Sequence, residues 1–297
     1  MKDLTPIFCV TPIFCVGLNK GRLLKVNKTW QALAREAGLA AEHLAIGTTA
    51  LGKANYAEHA YYGQAFFALT TGFERASKLS LVIDHALENR GDFPPNNVLR
   101  GYGHDLDALL DKVNGIAERR KLDARLPSTE IHKGVIKVLT DFANNVTRYY
   151  NLDFVTENPK TKGEEDPVKS WFDLVTIPVL KKHLTQKQGD KVQRNAKLVD
   201  EHIGSHAMVI HHAESGDELN TAYEASYQTG IIDFAKPYTR MYVMQIARFL
   251  GNVLSELGYA AYGTGINTIP HLSEFFAIFN NDDKYFKNRK TWSIYRP

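Results

Sequence analysis

From Trp30 onward, apolar residues recur mainly three and four positions apart, the spacing that aligns them on one face of an α-helix. Tyr62, Phe66, Leu69, Phe73, Ala76, Leu79 and Ile83 form one such stripe, and Gly91-Asp92-Phe93-Pro94-Pro95 supplies the breakers that end its helix. A shorter helix is predicted from about Asp105, burying Leu106, Leu109, Leu110 and Val113. Pro127 and Ser128 then open another, with Ser128 as a cap and Ile131, Val135, Val138, Leu139, Phe142 and Val146 on its buried face.

No apolar residue lies between Glu157 and Pro167, so this stretch reads as an exposed linker and a candidate boundary. The expected organisation is an extended segment over residues 1–20, a helical bundle over 21–157, the linker at 158–166 and a C-terminal helical region over 167–297. Within that last region Val168–Leu184 should be helical with a disturbance at Pro178. Val192, Ala196, Val199, Ile203, Ala207 and Ile210 mark a long helix. Two further helices are expected, Leu219–Phe234 stopped near Pro237 and Tyr238–Leu257 stopped by Gly258. Gly263-Thr264-Gly265 is a loop, and Pro270 opens a last short helix through Phe275, Phe276 and Phe279. The fold class is all-α, a multi-helix array, because extended structure has little support beyond the first twenty residues.

Those first residues hold a tandem duplication: Thr-Pro-Ile-Phe-Cys-Val occupies Thr5–Val10 and again Thr11–Val16. Six residues preserve the period of two of a strand, so an extended segment could slip by one copy and keep its faces; a duplication tolerated near a terminus is the simpler account. The repeat carries both cysteines, Cys9 and Cys15, so a disulfide framework is not expected. The run Ile7–Val16 is broken by Thr11-Pro12 and falls short of the roughly 20 apolar residues of a membrane helix. It also lacks the basic start and cleavage site of a secretory signal, which makes the cytoplasm the expected location. Length and a 44% hydrophobic content allow real cores. Lys and Arg total 36 against 33 Asp and Glu, a formal +3, so any nucleic-acid surface must be local.

Glu74 and Lys78 lie one turn apart on the aromatic helix, and a Pro-containing loop then leads to Gly103-His104-Asp105-Leu106, with Leu109 and Leu110 following. Over about Tyr56 to Asp153, roughly a third of the chain, this arrangement resembles the HEPN superfamily of small helical bundles. The resemblance implies a four- to five-helix bundle that often dimerises, of a kind found in toxins and phage-defence proteins that cleave RNA without a metal. It also implies an Arg followed after four to six residues by a His, with the His moving the ribose 2′-hydroxyl proton and the Arg holding the phosphate. Arg125 and His132, with six residues between them in Arg-Leu-Pro-Ser-Thr-Glu-Ile-His, are the candidate catalytic pair. Pro127 and Ser128 place Arg125 before the helix and His132 inside it. Arg100 and His104 are one residue short of the family spacing, and Arg148 resembles the Arg-Tyr near the end of a HEPN bundle helix, although no His follows it. The simpler expectation for His104-Asp105 is a helix cap with the histidine bonded to a neighbour.

His202 and His206 stand four apart, a spacing that can share a metal on a helix. No third ligand is local, so a polar flank is expected there, and no metal or cofactor is assigned. In the C-terminal tail Lys284, Lys287, Arg289, Lys290 and Arg296 interleave with Tyr285, Phe286, Trp292 and Tyr295. That mixture suits phosphate contact with base stacking, and equally suits aromatics docked on the bundle with their charges left in water. No Gly-rich phosphate loop, Cys-x-x-Cys knuckle or Gly-x-Ser-x-Gly elbow is present. The leading expectation is therefore a HEPN-like endoribonuclease acting on RNA, as a homo-oligomer away from membranes. A non-catalytic helical sensor or adaptor for a protein or nucleic-acid partner is the competing one.

Overall fold

The computed structural model describes residues 27–144, 147–158 and 165–294. The tandem hexapeptide, Val146, most of the 158–166 linker, Tyr295 and Arg296 lie outside the described residues.

Asn27 caps α1 (Lys28–Leu51), its side chain accepting from the Trp30 N–H. The next helix, α2 (Ala60–Glu88), packs along α1 in antiparallel fashion over most of its length. Their closest approach is reciprocal. A methyl group on Gly47 would meet the backbone N of Leu69 at 2.9 Å, and one on Gly72 would meet that of Leu44 at 2.9 Å. Each glycine thus admits the leucine of the opposite helix, and Leu44 and Leu69 are both fully buried.

After the short α3 (Asn96–Gly101) comes α4 (Leu106–Arg119), where Asp105 Oδ1 accepts from the Ala108 N–H at 3.0 Å. The capping expectation for Asp105 holds, and Leu106, Leu109, Leu110 and Val113 are all buried. In α5 (Glu130–Ala143), Ile131, Val135, Val138, Leu139 and Phe142 face the core as the spacing predicted, although Thr129 rather than Ser128 occupies the cap position. A short α6 (Tyr150–Val155) follows.

The disturbance expected at Pro178 is a π-helical turn, Phe172–Thr176, between α7 (Pro167–Trp171) and α8 (Ile177–His183). Pro178 has no N–H to offer the Leu174 carbonyl one turn earlier. That carbonyl lies against Gly134 of α5, where a Cβ would come within 2.2 Å of the oxygen, so the wide turn and the glycine fit one another.

Two sequence expectations are corrected beyond this point. The helix marked out to Ile210 stops earlier: α9 (Gln186–Ile203) gives way to a 3₁₀ turn at Gly204–His206 and then to a two-residue antiparallel hairpin, β1 (His211–His212) and β2 (Glu218–Leu219). Gly204 still donates its N–H to the Asp200 carbonyl, and the Asp200 side chain accepts from Tyr223 N–H at the start of the next helix, which ties the two helix ends together. Only Ala196 of α9 is buried, so Val199, Ile203 and Ile210 lack the core their spacing promised. Leu219 is accordingly strand, not helix. The second correction is that the helices expected on either side of Pro237 are one, α10 (Ala222–Gly263), 42 residues long and capped by Thr221 and Glu224 in a reciprocal box. A proline inside a helix costs about 3 kcal/mol. Burial of Ile231, Ile232 and Ala235 before it and of Thr239, Arg240 and Met241 after it offsets that cost.

The C-terminal segment forms α11 (Ser273–Phe276), a 3₁₀ turn at Ala277–Phe279 and α12 (Asp283–Asn288), all against α10. One cluster of buried side chains runs from Leu33 to Trp292 and contains residues from both sides of the 158–166 segment. Among the described residues no helix is long and apolar enough to cross a membrane.

Candidate functional site

The C-terminal end of α8, the start of α5, the middle of α10 and α12 surround a cavity of about 710 Å³. Arg125 and His132 both line it, so the pair picked out by spacing does share one cleft. Their environments differ. Arg125 is exposed and turns Nη1 back to donate to the Leu122 and Ala124 carbonyls, the latter at 2.7 Å, which ties the 122–125 turn together. His132 is only 3% exposed, with both ring nitrogens engaged.

The bonds around His132 form a directional chain. Gln245 Nε2 donates to Asp283 Oδ2 at 2.9 Å, which leaves Gln245 Oε1 as the acceptor for His132 Nε2–H at 2.7 Å. His132 Nδ1 then accepts from the Thr129 hydroxyl at 2.7 Å. This is the neutral tautomer. Burial lowers the pKa of His132, and the Lys182 ammonium lowers it further, against the raising effects of Gln245 and Asp283.

His183, which the sequence reading passed over, is the more accessible histidine of the cavity. Its ring stacks on Tyr238 with centroids 4.2 Å apart, and its Nε2 is hydrogen-bonded to the Tyr242 hydroxyl at 2.9 Å. Desolvation, Lys182 and Lys287 together hold its pKa below the ordinary histidine value. Lys182 sits over the Tyr242 ring and Lys287 over Tyr238, so each cation is placed by an aromatic face. Arg248 pairs with Asp283 at 3.2 Å and donates to the Asn281 carbonyl at 2.8 Å. Four cationic side chains, Arg125, Lys182, Arg248 and Lys287, thus face two carboxylates, Asp123 and Asp283. Net positive charge thus lies beside two imidazoles whose pKa is held below the ordinary histidine value.

The other expected site residues lie elsewhere. His104 is exposed, its Nδ1 3.0 Å from Glu74 Oε1, and the same carboxylate accepts from Lys78 at 2.8 Å. The motif residues that carried the family resemblance therefore meet each other, away from the cavity. Burial opposes ionisation of Glu74, but the bonds and charges of Lys78 and His104 outweigh it and hold the carboxyl below its ordinary pKa. Arg148 lies over the rings of Phe67 and Phe142, at 4.9 and 5.6 Å from their centroids, beside a separate small pocket. Among the four basic tail residues that are described, Lys287 alone lines the cavity. Lys284 and Lys290 are exposed, and Arg289 covers Tyr285 and Trp292. Phe286 and Trp292 are buried, so these tail aromatics are docked on the bundle and are not free to stack on bases. His202 Nδ1 donates to the Leu198 carbonyl, His206 is exposed, and among the described residues no three His, Cys, Asp or Glu side chains converge as metal ligands.

A sequence signal for the missed residues exists. Tyr238, Tyr242, Gln245, Phe249 and Asn252 follow one another by four and three, so they form one stripe of α10 along the cavity floor. No family model, no curated protein and no solved structure matches this chain.

Proposed function

We propose that the cavity is the active site of a HEPN-like, metal-independent endoribonuclease. The observation that carries this reading is the convergence of Lys182, Lys287 and Arg125 on two histidines whose surroundings favour the neutral, proton-accepting form. The cations bind a phosphodiester and stabilise the charge that develops on it. Neutral His183 removes the proton from the ribose 2′-hydroxyl, the oxygen attacks phosphorus, and the 5′-oxygen departs with that proton returned by the imidazolium. The products are a 2′,3′-cyclic phosphate and a 5′-hydroxyl. The proton inventory closes on side chains alone, which is why the step needs no metal.

His132 takes a different role from the one its spacing suggested. With both nitrogens bonded and almost no exposure, it positions Gln245 and packs edge-on against Tyr242 at 5.0 Å, and Tyr242 in turn holds His183. His132 is a positioning residue and His183 the catalytic one.

Single-stranded RNA incubated with the protein in chelator tests the proposal, beside His183→Ala and His132→Gln variants. His183→Ala should lower the cleavage rate by about 10²-fold or more. Equal cleavage by wild type and His183→Ala removes the catalytic assignment. The enclosure of His132 also favours a second reading, a polyanion-binding module without chemistry; retained RNA binding with no cyclic-phosphate product would select it.

A further inference from the structure

The α10 stripe does not end at the first cavity. Asn252 is followed by Glu256 and Tyr259 at the same four-and-three spacing, and these three residues line a second cavity of about 800 Å³. Asp123, Ala124 and Asn252 line both cavities, so the two form consecutive parts of one groove. From Tyr238 to Tyr259 the groove follows about 32 Å of helix axis.

Its two parts carry opposite charge. The first sets Arg125, Lys182, Arg248 and Lys287 against Asp123 and Asp283, whereas the second places one cation, Lys121, among Asp123, Glu256 and Glu274. A phosphate held at the basic end is repelled from the acidic end. The uncharged part of the same ligand is not. Tyr259 is 53% exposed and presents a ring of the kind on which unstacked bases lie, while Asn252 and Asn280 bring amides that both donate and accept.

We propose that this second cavity is a nucleobase subsite that selects bases carrying an exocyclic amino group, with Tyr259 as the stacking platform and Glu256 and Glu274 as acceptors. The inference rests on the reading of the first cavity as an RNA site. Carboxylates accept hydrogen bonds and cannot donate them, so cytosine, with an amino group at C4, fits such a site. Uracil, with a carbonyl oxygen at that place, faces the carboxylates lone pair to lone pair. One pyrimidine is accepted and the other rejected at equal size.

Titration of the full chain with free cytidine and with free uridine, followed by nuclear magnetic resonance, tests the subsite without a phosphate in the probe. Cytidine should bind at least about fivefold tighter than uridine, Tyr259→Ala should weaken cytidine roughly tenfold, and the double change Glu256→Gln with Glu274→Gln should erase the preference. All three positions lie at the surface of the groove, so the variants keep the core intact. Equal affinity for the two nucleosides, no binding of either, or binding unchanged by Tyr259→Ala overturns the proposal. Cleavage of RNA without nucleoside discrimination would sink the subsite alone, and discrimination without cleavage would sink the nuclease reading alone.

Discussion

His132 donates from Nε2 to Gln245 Oε1 at 2.7 Å, and that one bond joins the start of α5 to the middle of α10 across the candidate site. The direction of the bond is fixed by Asp283, which can only accept from the other end of the Gln245 amide.

A pH dependence of stability follows. Burial, then the Lys182 charge, places the folded-state pKa of His132 below the unfolded value of 6.5, so the unfolded chain binds more protons in the interval between the two values. The stabilising contribution is full above pH 6.5 and is lost as pH falls from there through the folded-state pKa. Urea unfolding at pH 7.5 and 5.5 should show wild type weakening at the lower value. His132→Gln should cost about 1–3 kcal/mol at pH 7.5 and weaken less on acidification. The remaining dependence belongs partly to His183, whose pKa is displaced the same way.

Gly134 and Gly115 make a paired test of packing. A Cβ at Gly134 would lie 2.2 Å from the Leu174 carbonyl oxygen, a backbone atom held by the π turn, whereas one at Gly115 meets nothing within 4 Å. Gly134→Ala should destabilise by about 2–3 kcal/mol. Gly115→Ala, inside α4, should stabilise by about 0.5–1 kcal/mol through reduced chain entropy and better helix propensity. Chemical denaturation of both variants measures the two signs, and a neutral Gly134→Ala would mean that the π turn shifts freely.

How much of this was legible beforehand depended on whether a feature is local. Asp105 as a cap and the apolar faces of α2, α4 and α5 follow from spacing alone, because helical neighbours are sequence neighbours. Pro237 misled because its local cost was overridden by burial on both sides, which only the tertiary structure reveals. The α9 stripe misled in the opposite sense, since Val199, Ile203 and Ile210 have the right period and no partner surface. In the site, Arg125 and His132 were visible as a near pair. Lys182 and His183 read as ordinary basic residues at a helix C-terminus. The α10 stripe mixes tyrosines, amides and a carboxylate, so it matches neither an apolar nor a charged face.

Asp84 is the anionic centre of a half-buried cluster. Its carboxylate accepts from both Arg119 and Arg120, while its own side chain is 8% exposed. Asp84→Asn keeps the shape, deprives Arg120 of its counter-charge and leaves Arg119 with Glu88 alone. The expected loss is about 1–3 kcal/mol, less than for a fully buried pair because Arg119 is half exposed. Glu88, at the exposed edge of the cluster, bonds only Arg119, at 3.1 Å, and Glu88→Gln should change stability by less than about 0.5 kcal/mol. Thermal unfolding of the two variants beside wild type separates the roles. Equal effects would remove Asp84 from the account of how α2 and α4 are joined.

Lys182 links the electrostatics of the site to its proposed chemistry, so one substitution should move two independent readings. Its ammonium is the largest charge effect on His183 after desolvation, and it depresses the pKa. A histidine acting as base works while neutral, so the cleavage rate falls as pH drops through that pKa. Removing Lys182 lets the pKa rise, and the acidic limb of the pH–rate profile in Lys182→Ala should move to higher pH. The second reading is salt dependence of binding to uncleavable 2′-O-methyl RNA. If Lys182 neutralises a phosphate, the slope of log affinity against log salt should become shallower by about 0.7, the value for one contact on a single strand. Lys284, exposed and outside the cavity, provides the control, and Lys284→Ala should leave both readings at wild-type values. A salt slope unchanged by Lys182→Ala would show that the phosphate lies elsewhere, whatever happens to the rate.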